Sequence, residues 1–261
     1  MKILKKKMKT FALGDVHGMF EALKDVLNKS GFKKEQDRLI FLGDAFDSHS
    51  KFNGQYAKCV DFLMEISNLV WILGNHDKYV FEWMKNTIKI SQEVHWLSEM
   101  GGRSTRGDYL LDEHDETGER NEPLIQKHLS ALKKAVLWFV DENNNFYVHG
   151  GIDWRFPLTD QMNDDVYYWD RDTYFYFAPR YKKKKQKFPY RHVFIGHTST
   201  FSTAGGKTLE PVRITNLYNL DQGIGHGGRL TIMDVDSFEY WQSDKQNEKI
   251  DRKKQNINIS V

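Results

Sequence analysis

The chain has 261 residues, of which 39% are hydrophobic and 28% charged, as is ordinary for a soluble globular protein with a sizeable core. Its 38 basic and 36 acidic residues nearly cancel, so the net charge of +2 gives no argument for nucleic-acid binding. No run approaches the ~18 apolar residues of a membrane-spanning helix, which argues against a membrane protein. The single cysteine, Cys59, lies in an amphipathic helical pattern and is interpreted as a buried structural thiol; we expect a cytoplasmic protein.

The first third of the chain alternates short apolar runs with amphipathic segments. The runs have the length of strands, whereas the segments repeat their apolar residues every three to four positions, as helices with one buried face do. This alternation is typical of parallel β-α-β units, in which ligands bind beyond the carboxyl ends of the strands. The predicted strands are Thr10–Leu13, Arg38–Leu42 and Leu69–Leu73, and the predicted helices are Met19–Lys29 with Gly31 as its stop, Gln55–Ser67, and a segment ending at about Lys89.

Two segments interrupt this alternation. Residues 90–122 are rich in charge and glycine and are interpreted as an irregular insertion with little core of its own. Residues 153–190 form a second insertion, dense in aromatic residues and ending in the basic run Lys182–Lys185. Two alternatives are open for Trp154–Phe177 with this basic run. A packed subdomain with solvated lysines is favoured over a lid that stacks on a base while the lysines meet phosphates.

The remaining elements complete a single predicted domain over residues 1–245, which is followed by a polar tail over 246–261. A helix is expected first, then a hairpin closed by a polar turn, a further short strand and finally closing antiparallel strands. In chain order these are Pro123–Leu132, the hairpin of Ala135–Asp141 and Phe146–Val148, the strand Val193–Ile195, and the closing strands Leu217–Leu220, Arg229–Val235 and Phe238–Trp241.

The first predicted strand ends at a carboxylate and an imidazole. Asp15 and His17 are two residues apart, so in an extended segment their side chains point to the same face. A carboxylate with an imidazole is a mixed oxygen and nitrogen ligand set that suits a divalent transition metal. The flanking Gly14 and Gly18 permit a sharp turn and a close approach of the backbone to a ligand.

Polar residues follow four more predicted strands in the same way. In order, the five clusters resemble the motifs of the calcineurin-like metallophosphoesterases, specifically the phosphoprotein phosphatase branch. That branch includes bacteriophage and bacterial protein phosphatases and symmetric dinucleoside tetraphosphate hydrolases. Its motifs are G-D-x-H-G, G-D-x-x-D-R, G-N-H-D/E, H-G/A-G and G-H-T. This chain has Gly14-Asp15-Val16-His17-Gly18, Gly43-Asp44-Ala45-Phe46-Asp47, Gly74-Asn75-His76-Asp77, His149-Gly150-Gly151 and Gly196-His197-Thr198.

The resemblance implies an α/β fold of two packed mixed β-sheets flanked by helices, with a binuclear metal centre at one edge. It implies that Asp44 bridges the two divalent ions. Ligands without thiolate suit Mn²⁺, which we expect, or Fe or Zn²⁺. By the same resemblance the first metal is held by Asp15, His17 and Asp44, and the second by Asp44, Asn75, His149 and His197.

The resemblance also assigns the proton chemistry. His76 is implied to be the general acid that protonates the leaving group after in-line attack by a metal-bridging hydroxide. Asp47 is implied to orient that imidazole and to stabilise its protonated form. Asp77 is interpreted as a residue that caps the N-terminus of the following helix.

The chain departs from the family at two arginine positions, where Ser48 and Leu73 stand instead. Those arginines would clamp phosphate oxygens with paired hydrogen bonds. Arg171 matches another phosphate-binding arginine of the family, in the pattern W-x-R, and is expected to contact the substrate. His226 lies in a glycine-rich loop after the segment Asn219-Leu220-Asp221, which corresponds to a family segment near the site, and it is a second candidate for substrate contact. Three residues are candidate replacements for the missing clamps: Lys51, Arg103 and Arg106.

Three functions are therefore weighed. The first is a metal-dependent phosphomonoesterase of the serine/threonine protein phosphatase type, with a phosphorylated protein as its implied substrate. The alternative is hydrolysis of a dinucleoside polyphosphate or another nucleotide anhydride or diester, which the missing clamps and the aromatic, basic insertion favour. The third is a catalytically degenerate binding module, against which the retained motif residues argue.

Overall fold

The computed structural model describes residues 8–48, 54–112, 118–203 and 208–245. Two features named from the sequence lie outside these residues: Lys51 and the tail over 246–261. The strands within the described residues are β1 (Thr10–Leu13), β2 (Arg38–Phe41), β3 (Asn68–Trp71), β4 (Trp138–Val140), β5 (Asn145–Val148), β6 (His192–Ile195), β7 (Val212–Ile214), β8 (Leu217–Asn219), β9 (Asp221–Gln222), β10 (Arg229–Asp234) and β11 (Tyr240–Gln242).

Helices connect and cover these strands. The α-helices are α1 (Phe20–Ser30), α2 (Tyr56–Met64), α3 (Asn75–Met84), α4 (Ile90–Glu99), α5 (Gly102–Gly107), α6 (Glu122–Leu132), α7 (Asp165–Trp169), α8 (Ala178–Lys183) and α9 (Thr200–Thr203). Gly31 ends α1 as predicted, because it adopts the left-handed conformation that closes a helix. None of the helices in the described ranges is long and apolar enough to span a lipid bilayer.

The strands form two mixed sheets. The first has the order β11-β10-β1-β2-β3, with β9 paired to β10, and its strands β1, β2 and β3 are parallel as predicted. The second has the order β4-β5-β6-β8-β7. The hairpin of β4 and β5 is antiparallel, as the sequence predicts. The predicted fold class, two mixed sheets flanked by helices, is confirmed.

The alternation of side chains along the strands explains how the sheets pack. Successive residues of a strand point to opposite faces. In β1, Phe11 and Leu13 therefore join the core beneath the helices, whereas Ala12 faces the other sheet. In β6, Phe194 faces the first sheet, and its neighbours pack against the second insertion. The core between the sheets includes Ala12, Ile40, Leu42, Ile72, Tyr147, Phe194 and Tyr218.

The first insertion differs from its prediction. Residues 90–122 were expected to be irregular with little core, but they contain α4, α5 and the start of α6. Trp96 and Tyr109 are fully buried in the main core cluster. Charged and glycine-rich composition misled the prediction, because a few large aromatic side chains bury enough surface to anchor short helices.

The second insertion follows the favoured alternative. It folds into α7, a π-helical turn over Thr173–Phe177, and α8. Tyr167, Phe177 and Phe188 are buried against the outer face of the second sheet. The lysines of Lys182–Lys185 are exposed. These three aromatic side chains therefore serve packing, whereas Phe156, Trp169, Phe175 and Tyr176 are exposed.

The closing strands are only partly as predicted. β10 pairs antiparallel with both β1 and β11, which confirms that part of the prediction. β8 pairs antiparallel with β7, as the prediction requires, but its other neighbour, β6, is parallel to it, which the sequence did not indicate. A parallel pair needs a crossover connection, and the segment with α9 and β7 provides it.

Candidate active site

The candidate site lies at the carboxyl ends of five strands. The first three are parallel neighbours in one sheet, and β5 and β6 are parallel neighbours in the other. Carboxyl ends of parallel strands meet at one edge, so the polar residues that follow them converge. They are Asp15 and His17 after β1, Asp44 and Asp47 after β2, Asn75 and His76 after β3, His149 after β5, and His197 after β6.

Four residues in the loops of the site have a left-handed backbone conformation, which is unusual for residues other than glycine. His17, Asp44, Asp47 and His197 all have φ between 49° and 60°, in the left-handed region. Residues other than glycine adopt this region rarely, and such conformations cluster at functional sites. The turns after three strands thus direct the side chains inward at some conformational cost.

Asp44 lies at the centre of the cluster. Its Oδ2 atom is 4.0 Å from Nε2 of His17 and 3.2 Å from Nε2 of His149. Its Oδ1 atom accepts a hydrogen bond from the backbone N–H of His76 at 3.0 Å. The Gly74 backbone packs so closely that a Cβ there would lie 2.1 Å from Oδ1 of Asp44. One carboxylate oxygen therefore lies near two histidines.

Those two histidines are fixed through their other ring nitrogen. Nδ1 of His17 donates to the carbonyl oxygens of Phe46 and Asp47, at 2.9 and 2.6 Å. Nδ1 of His149 donates to the carbonyl of Leu42 at 2.7 Å. A neutral imidazole protonated at Nδ1 presents a lone pair at Nε2. Both Nε2 atoms lie near the Oδ2 atom of Asp44, an arrangement that a cation at this point would stabilise.

His197 adds a second indication of a metal centre. Its Nε2 atom is buried and has no hydrogen-bond partner among the described residues. Burial, together with the nearby His149 and Arg171, holds the pKa of His197 well below its ordinary value, so the ring is neutral. A neutral, buried and unpartnered imidazole nitrogen fits a metal ligand.

The ligand atoms form two groups, and the first of them contains His76 where the predicted ligand set has Asp15. Asn75 Oδ1 lies 3.0 Å from Nε2 of His149, and Asp15 Oδ2 lies 4.0 Å from Nε2 of His17. Two groups have ligand atoms within 4.8 Å of one another and share Asp44; they are His17 with Asp44 and His76, and Asp44 with His149 and His197. Oxygen and nitrogen donors in two adjoining groups fit a pair of divalent ions.

Three buried carboxyl groups, those of Asp15, Asp44 and Asp221, lie close together at the site. Burial raises the pKa of Asp15 well above its ordinary value, and the charges of Asp221 and Asp44 raise it further. Nearby cations would relieve this repulsion. Asp221 was not named as a site residue, although it ends the Asn219-Leu220-Asp221 segment whose position in the family lies near the site. The position of that segment was the sequence signal that could have identified Asp221 as a site residue.

His76 and Asp47 form a close pair. Nδ1 of His76 lies 2.8 Å from Oδ2 of Asp47, whose side chain is fully buried. Burial lowers the pKa of His76, but the charges of Asp44 and Asp47 outweigh it and raise the pKa to about 9. The imidazole is therefore protonated at neutral pH in this arrangement and can donate a proton.

Asp77 does more than cap a helix. Its carboxylate accepts from the backbone N–H of Gly74 at 3.1 Å, near the start of α3, as expected of a capping residue. It also accepts from the backbone N–H groups of Asp44 and Ala45 and from the indole of Trp71. Asp77 thus ties the loop after β2 to the start of α3 and fixes the position of Asp44.

Two connected cavities open beside the cluster. The inner one, of about 140 Å³, is lined by Asp15, His17, Asp44, Asn75, His76, Arg171, His197, Asp221 and His226, among others. The outer one, of about 570 Å³, shares His17, His76, Arg171 and His226 with it and extends along the turn between α4 and α5. Arg171 is steadied there by a 3.2 Å hydrogen bond from Nη1 to the carbonyl of His197. Eight of the ten site residues named from the sequence line the inner cavity, Asp47 lines the outer one, and His149 is buried behind them.

The structure separates the candidates for the missing phosphate clamps. Leu73 is buried in the main core and is absent from the described lining of both cavities. Ser48 lines the outer cavity and shares a 2.8 Å hydrogen bond with the hydroxyl of Tyr56. Arg103 lines the same cavity, whereas Arg106 is absent from the described lining of both cavities. Arg103 is the candidate that the geometry retains.

Known proteins resemble this chain over most of its length. A family model described as calcineurin-like phosphoesterase matches residues 8–201. The chain is 24% identical to a symmetrical bis(5'-nucleosyl)-tetraphosphatase of Pseudomonas fluorescens over an alignment covering 89% of this chain and 93% of that protein.

Solved structures share the fold. One is a protein assigned as a diadenosine tetraphosphatase, with a TM-score of 0.60 and 17% identity, covering 92% of this chain and 94% of that one. Another is a cold-active protein-tyrosine phosphatase of a psychrophilic Shewanella species, with a TM-score of 0.53 and 14% identity, covering 91% and 80%. Their names differ in substrate, so the fold by itself does not select one.

Proposed function

The chain belongs to the calcineurin-like phosphoesterase family, and on that premise we propose that it hydrolyses a phosphoanhydride bond of a dinucleoside polyphosphate. As a member of that family it is a phosphoester hydrolase rather than a degenerate binding module. The serine/threonine protein phosphatase expected first has less support, because relatives that align along most of the chain bear the name of a nucleotide hydrolase. The proposal is therefore the alternative that the sequence left open.

The shape of the site carries this proposal. The inner cavity of about 140 Å³ has room for one phosphoryl group beside the ligand cluster. The outer cavity of about 570 Å³ continues from it and is within the range of pockets that bind nucleotide-sized ligands. Arg171 faces both cavities and Arg103 the outer one, so positive charge lies along the path. A chain of phosphates ending in a nucleoside fits this path better than a lone phosphate does.

We propose that two divalent ions complete the site. Bound there, they would act as Lewis acids that stabilise negative charge on the phosphoryl oxygens and activate water. Oxygen and nitrogen ligands without thiolate favour Mn²⁺, with Fe or Zn²⁺ as alternatives. The residues that would hold them are Asp15, His17 and Asp44 for one ion, and Asp44, Asn75, His149 and His197 for the other.

The protein's own side chains would then carry the remaining steps. Arg171 binds a non-bridging phosphoryl oxygen and orients the phosphorus for attack by water opposite the leaving oxygen. As the bond between phosphorus and the leaving oxygen breaks, His76 donates a proton from Nε2 to that oxygen. Asp47 holds Nδ1 of His76 and stabilises the charged imidazolium before the transfer.

We infer a cytoplasmic location from the thiol chemistry. Cys59 is buried in α2 as a free thiol, and burial raises its pKa, so it is protonated and unreactive. A free structural thiol suits a reducing compartment. Dinucleoside polyphosphates in that compartment would be accessible to the enzyme.

The test compares substrates on metal-stripped protein to which Mn²⁺, Fe²⁺ or Zn²⁺ is returned. We expect diadenosine tetraphosphate to give two molecules of ADP, with a kcat/KM at least tenfold above those for p-nitrophenyl phosphate and a phosphoserine peptide. Asn75→Ala should abolish turnover, whereas Asn68→Ala, at an exposed position, should not. A preference for the peptide would support the protein phosphatase instead, and inactivity with every metal would contradict the enzyme.

A further inference from the structure

The carboxylate of Asp47 is held by two residues that lie outside all five motifs. The indole Nε1–H of Trp96 donates to Oδ2 of Asp47 at 2.8 Å. The hydroxyl of Thr105 donates to Oδ1, and it also accepts the backbone N–H of Asp47 at 3.0 Å. The side chains of Trp96 and Thr105 are fully buried, as is that of Asp47. Both come from the first insertion, in α4 and α5.

Packing fixes the indole in place. The Trp96 ring lies 5.8 Å from that of Trp83 in the main core. On another side, Gly102 at the start of α5 approaches so closely that a Cβ there would lie 2.4 Å from the indole. The indole therefore cannot turn its N–H away from Asp47 without disturbing the core. This hydrogen bond is a fixed feature of the fold.

The hydrogen bonds to Asp47 have complementary roles. Oδ2 accepts from both Trp96 and His76, so it is shared between the insertion and the proposed proton donor. Oδ1 and the backbone N–H of Asp47 both bond to Thr105, which supports the left-handed backbone of Asp47 at φ 58°. Without these partners the carboxylate could rotate about its terminal torsion and release the imidazole.

We propose that Trp96 and Thr105 are positioning residues for proton transfer: they lock the Asp47 carboxylate in the orientation that holds His76 toward the leaving oxygen. The inference rests on the proposed role of His76 as proton donor. It makes the first insertion part of the catalytic apparatus, because the geometry of the acid depends on hydrogen bonds that span 49 and 58 residues of sequence.

The test uses conservative variants of the full chain. Thr105→Val keeps the side-chain shape and removes the hydroxyl, and Thr105→Ser restores it. Trp96→Phe keeps an aromatic ring and removes the indole N–H. Trp83→Phe is the matched control, because Trp83 is buried in the same cluster and its indole is not among the donors described for Asp47.

Leaving groups separate positioning from general damage. Phenyl phosphate releases a phenol with a pKa of about 10, which needs a proton donor, whereas p-nitrophenyl phosphate releases a far more acidic phenol. For Thr105→Val and Trp96→Phe we expect kcat on phenyl phosphate to fall about 5- to 50-fold, with a change below about threefold on p-nitrophenyl phosphate and little change in KM. Thr105→Ser and Trp83→Phe should keep the wild-type ratio of the two rates.

A second readout needs no turnover. In metal-free protein, a ¹H–¹⁵N spectrum contains the indole signals of the seven tryptophans, and Trp96→Phe identifies the one from Trp96. That proton should exchange slowly with solvent, and its signal should move in both Asp47→Asn and Thr105→Val. An indole signal that is unaffected by Asp47→Asn would overturn the proposal even if a variant folded too poorly for kinetics.

The outcomes distinguish this inference from the proposed function. If His76→Asn changes the ratio of rates but Thr105→Val and Trp96→Phe do not, only the positioning role is wrong. If His76→Asn also keeps the wild-type ratio, His76 is not the proton donor and the positioning role falls with it. If Trp83→Phe shifts the ratio as strongly as Trp96→Phe, the effect comes from core packing and the hydrogen bond is not its cause.

Discussion

Replacing Asp15 by asparagine should stabilise the metal-free protein and weaken its response to metal. Asparagine keeps the shape of the side chain and can still accept the backbone N–H of His197, which donates to Asp15 at 3.1 Å. It removes one buried negative charge from a site that also contains Asp44 and Asp221. Without cations, the wild-type fold must either keep that charge against repulsion or protonate the carboxyl. Either alternative lowers the free energy of unfolding of the wild type, and the variant avoids this loss.

The distances set the magnitude. The Oδ2 atoms of Asp15 and Asp44 each lie 4.0 Å from Nε2 of His17, so they are at most about 8 Å apart. Two unit charges at that separation repel by about 2 kcal/mol at an effective dielectric constant near 20. For a chain of this size, that corresponds to a rise in Tm of roughly 4–8 °C. Because the pKa of Asp15 is raised, wild-type stability falls as pH rises above the unfolded value, so the advantage appears at neutral pH and vanishes toward pH ~4.

Adding metal should make the wild type more stable than Asp15→Asn. A ligand at one hundred times its Kd stabilises a fold by about 2.7 kcal/mol, and the variant lacks one proposed ligand. Thermal unfolding in EDTA and across a Mn²⁺ titration measures both effects. Asp25→Asn is the control, because Asp25 lies on the surface of α1 in an ion pair with Lys29. The reasoning is refuted if Asp15→Asn lowers the Tm in EDTA, or if Mn²⁺ raises the Tm of the variant as much as that of the wild type.

Three further predictions follow from named contacts. Tyr109→Phe removes the hydroxyl that lies 2.8 Å from Nδ1 of buried His128, so urea unfolding should show a loss of about 1–3 kcal/mol; a loss below about 0.5 kcal/mol would contradict this. Burial lowers the pKa of His128, so the unfolded chain binds the proton first, and stability should fall as pH drops below about 6.5; this slope should be shallower in His128→Gln. Arg171→Ala should raise KM for a nucleotide substrate about tenfold while Mn²⁺ still raises the Tm, since it removes a substrate contact; an unchanged KM would exclude that contact.

Much of the fold is readable along the chain because its signals are local. Short, mostly apolar strands such as β1 and a glycine that closes α1 depend on neighbours a few positions away. The convergence of Asp15, Asp44 and Asn75 is also predictable, because each follows a strand of the same parallel set. A strand's direction determines where its carboxyl end lies, and the motif residues follow immediately.

Features that depend on contacts between residues far apart in sequence were determined only by the tertiary structure. The parallel pairing of β8 with β6 arises from a crossover whose course no local pattern specifies. The charge and glycine content of the first insertion predicts irregular chain, but buried aromatic residues far apart in sequence from their core partners anchor two helices there. Likewise, Arg103 and Arg106 are three residues apart and alike in chemistry, yet only Arg103 is among the described residues that line the outer cavity.

The motif residues by themselves determined the family, the enzyme class and the candidate ligands, since their types and order reflect the chemistry of the site. What surrounds them was fixed only by folding. Trp96 and Thr105 reach Asp47 across 49 and 58 residues, and neither stands in a motif. Hydrogen-bond partners at such separations are brought together by core packing. Packing depends on the whole set of buried side chains, so no short stretch of the chain encodes it.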